Sequence, residues 1–143
     1  MSIQATRQST TVTPDLLRTS LRVDSWATAA FGAVMLAGAK WLRDPLGLPV
    51  ALSVVFGIVM PAGGAVLALI ARYPRIPVGA AAAVVVVNSL SCLGMVTLAC
   101  TDVVALTGFG RAFMVVGAVA VAVFGELEFV GLRRARRMSG RPA

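Results

Sequence analysis

The sequence predicts an all-α fold: a four-helix transmembrane bundle of up-down topology with both termini in the cytoplasm. Three observations carry that expectation. The 143 residues are 58% apolar and 13% charged, against about 45–50% and about 25% in an ordinary soluble domain. Four long apolar stretches divide the chain, too many and too long to be core helices of one small globule. The basic residues lie between and beyond those stretches, at the levels where Lys and Arg meet lipid headgroups.

Taken in order, residues 1–21 are a polar, Ser/Thr-rich tail expected on the cytoplasmic side, with no apolar signal segment of their own. The transmembrane domain is expected over residues 22–134, with helices at about 23–42, 49–71, 78–101 and 111–132. Residues 135–143 form a basic cytoplasmic tail. In the first helix the uncharged part ends at Ala39, short against a hydrocarbon core of about 30 Å. Lys40 extends it by reaching to the headgroups, and Trp26 and Trp41 suit the two interfaces. The second stretch, Pro49 to Ala71, and the third, Val78 to Thr101, carry no charge. The run Val84–Val87 would favour a strand in water. In lipid the backbone must satisfy itself within the segment, and a barrel would show short alternating segments instead. The fourth stretch, Ala112 to Leu132, is uncharged as far as Gly125 and then meets Glu126 and Glu128.

Prolines punctuate two of the linkers, Arg43-Asp44-Pro45 and Arg72–Pro77, and predict tight hairpins there. The third linker, Asp102 to Arg111, is apolar enough to lie in the interface or to extend a helix. Orientation follows from the basic residues. Arg7, Arg18, Arg22, Arg72, Arg75, Arg133, Arg134, Arg136, Arg137 and Arg141 fall on one side, and Lys40, Arg43 and Arg111 on the other. The positive-inside rule places the first group in the cytoplasm. The excess of Arg over Lys, with abundant Ala and Val, suggests a GC-rich bacterial genome and so the bacterial inner membrane.

The residues needed for most chemistry are missing. There is no histidine, which removes the commonest general base and metal ligand. No Walker loop, dinucleotide-binding glycine fingerprint or Ser/His/Asp set occurs. Cys92 and Cys100 would stand about 12 Å apart along one helix, beyond disulfide reach, and no CxxC is present. No catalytic residue, metal or cofactor is therefore expected. The basic residues form no single stripe, so nucleic acid is not an expected partner.

What remains is a short set of polar residues inside the spans. Asn88 lies about 15 Å along the third helix, near the bilayer centre, with Ser91 on its face. Pro61, at similar depth in the second helix, frees the carbonyl of Gly57. Asn88, Ser91 and Pro61 could frame a mid-membrane site beside a broken helix, or Asn88 could bond a neighbouring helix and nothing more. Glu126 follows Ala118 and Ala122 at helical spacing and is expected to point into the bundle, toward Thr28 on helix one or the Arg72 end of helix two. There it would act as a proton carrier or as a structural partner of Arg22 or Arg72. Arg133, Arg134, Arg136 and Arg137 are expected to face lipid headgroups, fixing topology or recognising anionic lipid.

Five motifs in fixed order, LGLPVAL (46–52), ARYPRIP (71–77), VVNSL (86–90), LTGFG (106–110) and FGELEFVGLRR (124–134), resemble a largely uncharacterised group of small bacterial four-helix integral membrane proteins. The resemblance covers roughly residues 20–135. Members have Trp, Ala and Gln where this chain has Ser91, Gly125 and Glu128, while Asn88 and Glu126 match. The resemblance implies the topology and brings no activity. The leading expectation is a non-enzymatic structural or accessory membrane component, packed with lipids and with its own copy or another membrane protein. The alternatives are a small proton-coupled transporter using Glu126 with a site at Asn88 and Pro61, and a quinone-linked oxidoreductase subunit.

Overall fold

The computed structural model describes residues 12–139. Residues 1–11 and 140–143, and with them Arg7 and Arg141 of the basic count, lie outside the described residues. Four long helices and one single-turn helix follow one another: α1 Val12–Ala37, α2 Arg43–Leu46, α3 Val50–Arg72, α4 Val78–Cys100 and α5 Gly108–Ser139. No strand occurs among the described residues.

Two helices begin or end away from the expected positions. α1 starts at Val12, inside the segment read as a polar tail. Pro14 falls in its first turn, where the missing N–H costs no helical bond. Leu17 and Leu21 then recur at one-turn spacing and are buried with Leu67, Ala71, Ala81, Val84 and Leu132, which draws the extension onto the bundle. α5 runs on to Ser139, because nothing between Leu132 and Ser139 breaks a helix and Arg136 and Arg137 suit its negative C-terminal end.

Three helical stretches are long and apolar enough to cross a membrane: Val50–Arg72, Val78–Cys100 and Gly108–Arg137. α1 is not among them; its first half carries Arg18, Arg22 and Asp24. The outward face fits lipid. On α3 the buried residues are mostly small (Ser53, Gly57, Gly64, Leu67, Ala71), while Val55, Ile58, Val59, Val66 and Leu69 are exposed. Large apolar side chains outside and small ones between helices is the arrangement expected where lipid is the solvent.

α1 lies along α3 and also packs on α5, and α4 lies along α5. Close approach on the α1–α3 seam depends on glycine. A Cβ at Gly57 would stand 2.5 Å from Leu36 Cβ, and one at Gly64 would stand 2.8 Å from Ser25 O. Ser25 Oγ donates to Gly64 O at 2.8 Å across the same seam. α3 stays helical through Pro61, so the broken helix that the cavity alternative needs does not form. Pro61 instead packs against the backbone of Gly32 on α1.

The two ends are closed differently. At one end Arg18 donates through Nη2 to the carbonyls of Tyr73 and Pro74, at 2.9 and 3.0 Å, holding the α3–α4 linker beneath α1. Gly131 of α5 meets Leu17 at the same end. At the other end α2 replaces the expected tight turn. Gly47 stops it in the left-handed region at φ 67°, a conformation that favours glycine. Thr107 then ties this turn to the start of α5. Its N–H donates to Leu46 O at 3.1 Å, its hydroxyl donates to Pro45 O at 2.5 Å, and that hydroxyl accepts from Gly110 N–H at 2.9 Å. Arg111 pairs with Asp102 at 2.5 Å nearby.

Candidate functional site

Three helices each contribute one polar side chain to a single cluster. Asp24 comes from α1, Asn88 from α4 and Glu128 from α5. Asn88 Nδ2 donates to Glu128 Oε2 at 2.9 Å and to Asp24 Oδ2 at 3.2 Å. Thr28, one turn beyond Asp24, donates through its hydroxyl to Asp24 Oδ1 at 2.9 Å. One amide thus bridges two carboxyls from different helices. Asp24 is 4% exposed and Glu128 0%. Glu128 Oε1 is buried with no hydrogen-bond partner among the described residues. No ion pair to either acid occurs among the described residues.

Local sequence explains each position. Asp24 lies next to Ser25, which faces α3, and one turn after Leu21 and Ser20, both buried. Asn88 follows Ala81 and Val84 at spacings of seven and four, the buried stripe of α4. Opposite Asn88 stands Gly125, where even an added Cβ would remain 3.6 Å from Asn88 Cβ. That absence of bulk leaves room for the amide. Glu128 belongs to the buried stripe of α5, in which Met114, Ala118 and Leu132 are also buried.

The cluster borders a cleft of about 960 Å³ between α3 and α4. α3 packs on α1 and α4 on α5, while α3 and α4 meet in few places, so their facing sides stand apart. Asp24, Thr28 and Asn88 line the cleft, and apolar side chains make up most of its wall. Phe31 and Phe113 stack on that wall with ring centroids 5.4 Å apart and 21° between planes.

The sequence-derived candidates divide. Asn88 and Thr28 belong to the cluster. Ser91 lines the cleft but is exposed. Pro61 packs into the α1–α3 seam and not at the polar site. Glu126 does not point into the bundle. It is exposed, on a shallow groove with Leu16, Ala122 and Arg134, and it forms no ion pair among the described residues. The reason is helical geometry. At 3.6 residues per turn, positions two apart face nearly opposite ways, so Glu126 and Glu128 cannot both be inside. Ala122 is exposed while Ala118 is buried, so Ala118–Ala122–Glu126 is not one buried face. The signal for Glu128 lies in the spacing Met114, Ala118, Gly125, Glu128, Leu132, whose steps of four, seven, three and four keep to one helix face. Asp24, which is not among the sequence-derived candidates, is placed inside the bundle by its neighbours on α1. Arg133, Arg134, Arg136 and Arg137 are exposed on the last turns of α5. Searches against protein-family profiles, curated proteins and solved structures return no match for this chain.

Proposed function

We propose that the chain is a four-helix integral protein of the bacterial inner membrane, up-down in topology with both termini inside, acting as a small proton-linked carrier through Asp24 and Glu128. On this reading α1 is the fourth span, with Arg18 and Arg22 at the cytoplasmic headgroups. The observation that supports it is the Asn88 amide bridging two buried carboxyls beside an apolar cleft, with no basic partner among the described residues. Two negative charges held there repel each other and lose their hydration. A proton on one carboxyl removes the repulsion and supplies a donor to the other; a bound cation offsets the same charge. Ligand and proton then compete for one pair, the linkage a coupled carrier needs. Asp24 and Glu128, and not the exposed Glu126, carry this role, which is non-enzymatic.

A second reading rests on the same bonds. Asn88 joins α1, α4 and α5, which is also what a structural or accessory component would need before packing against its own copy or another membrane protein. The two readings separate by infrared spectroscopy of the purified chain across a pH series, in wild type, Asp24→Asn and Glu128→Gln. Proton linkage requires a carboxyl band that titrates, with each variant altering it while helicity is kept. Loss of the fold in both variants supports the structural reading. A band unchanged by both contradicts proton storage at the pair.

A further inference from the structure

We infer that the cleft between α3 and α4 binds an organic cation with an apolar, preferably aromatic, body, which enters sideways from the lipid. The inference rests on the proton-linked reading and names its ligand class. At about 960 Å³, the space lies within the range of small-molecule sites, about 300–1,000 Å³.

Charge selects among occupants. Asp24 lines the cleft and Glu128 stands directly behind Asn88, bonded to the same amide. An anion would meet the Asp24 carboxyl, and a neutral apolar body would leave the charge of the pair uncompensated. A cation is the complementary occupant. Glu128 is fully buried and does not itself line the cleft, so Asp24 is the acid a ligand meets and Glu128 adds its charge from behind the Asn88 amide. The wall adds shape and chemistry. Phe31, Phe56 and Phe113 line the cleft, and the faces of aromatic rings attract cations and pack against aromatic bodies.

The route of entry follows from the helix pairing. Val59 and Val66 on α3 and Val87 and Leu90 on α4 border the cleft and are each more than half exposed. These lips face the direction in which a lipid-dissolved amphiphile would arrive, its apolar body already out of water and its charge meeting Asp24 in the wall.

The test uses the purified full chain in detergent micelles and two probes of matched size and opposite charge, tetraphenylphosphonium and tetraphenylborate, in equilibrium dialysis. The phosphonium should bind and the borate should not. Asp24→Asn should weaken phosphonium binding by at least about tenfold, as loss of a nearby countercharge implies. Val87→Trp, an outward-facing change that narrows the mouth, should also weaken it while leaving the titrating carboxyl band intact. Equal binding of both probes overturns the charge argument, and binding of neither overturns the cleft as a cation site. In both cases the infrared band still reports on the acid pair, so failure of this inference and failure of the proton-linked reading are distinguishable.

Discussion

Asn88 of α4 donates to Glu128 of α5 at 2.9 Å, in a place where Glu128 has no exposed surface. The amide also serves Asp24 of α1, so a single side chain holds three helices in register. Asn88→Leu keeps the branched outline of the side chain and removes the donor that the two acids share. We expect a loss of about 1–2 kcal/mol in bundle stability, read as a lower unfolding midpoint in a detergent or denaturant titration. An unchanged midpoint would mean the bonds to Asp24 and Glu128 contribute nothing.

The contrast between neighbouring acids gives a second expectation. Glu126→Gln alters an exposed side chain and should change stability by less than about 0.5 kcal/mol. It should leave the titrating carboxyl band and phosphonium binding as they are. Glu128→Gln should alter both. The reverse pattern would return the functional role to Glu126.

These two residues also mark how far the sequence could be read. The long apolar helices, the proline-marked linkers and the inward role of Asn88 follow from composition and spacing, which act locally. The choice between Glu126 and Glu128 does not, because it depends on which side of α5 meets α1 and α4. Two alanines before Glu126 suggested a contact face, but small residues occur on both sides of this helix, and the glycine opposite Asn88 decides the matter only once the helices are paired. Asp24 was missed for a similar reason. Set among Arg22, Ser25 and Trp26 it reads as a headgroup-level residue, and only the helical extension back to Val12, with Leu17 and Leu21 buried, shows how deep α1 sits in the bundle.

The α1–α3 seam supplies a third expectation. A side chain at Gly64 would drive into the Ser25 carbonyl and displace the Ser25 hydroxyl bond. Gly64→Val should cost about 1–3 kcal/mol through overpacking. Gly63→Val, where an added Cβ meets nothing within 4 Å, should be nearly silent. Thermal unfolding of the two variants side by side checks the pairing of α1 with α3. Equal loss in both would contradict it.

Topology is tested by reporter fusions. Fusions after Ala143 and within Arg72–Pro77 should report cytoplasm, and a fusion near Asp44 the opposite side, as the basic asymmetry requires. The Arg18 bonds to Tyr73 and Pro74 place the start of α1 beside the α3–α4 linker, and Gly131 against Leu17 brings the end of α5 to the same level, so the linker and C-terminal fusions should report the same side. Opposite signals from the C-terminal and Arg72–Pro77 fusions would break the four-span arrangement.

If a proton and a bound cation share the Asp24–Glu128 pair, binding must release protons. Tetraphenylphosphonium is titrated calorimetrically into the purified chain in two buffers of different ionisation enthalpy at the same pH. If proton and cation compete, the binding heats differ between buffers in the wild type and in Glu126→Gln, and the difference disappears in Glu128→Gln. Identical heats in both buffers for the wild-type chain would mean that proton and cation do not share the pair.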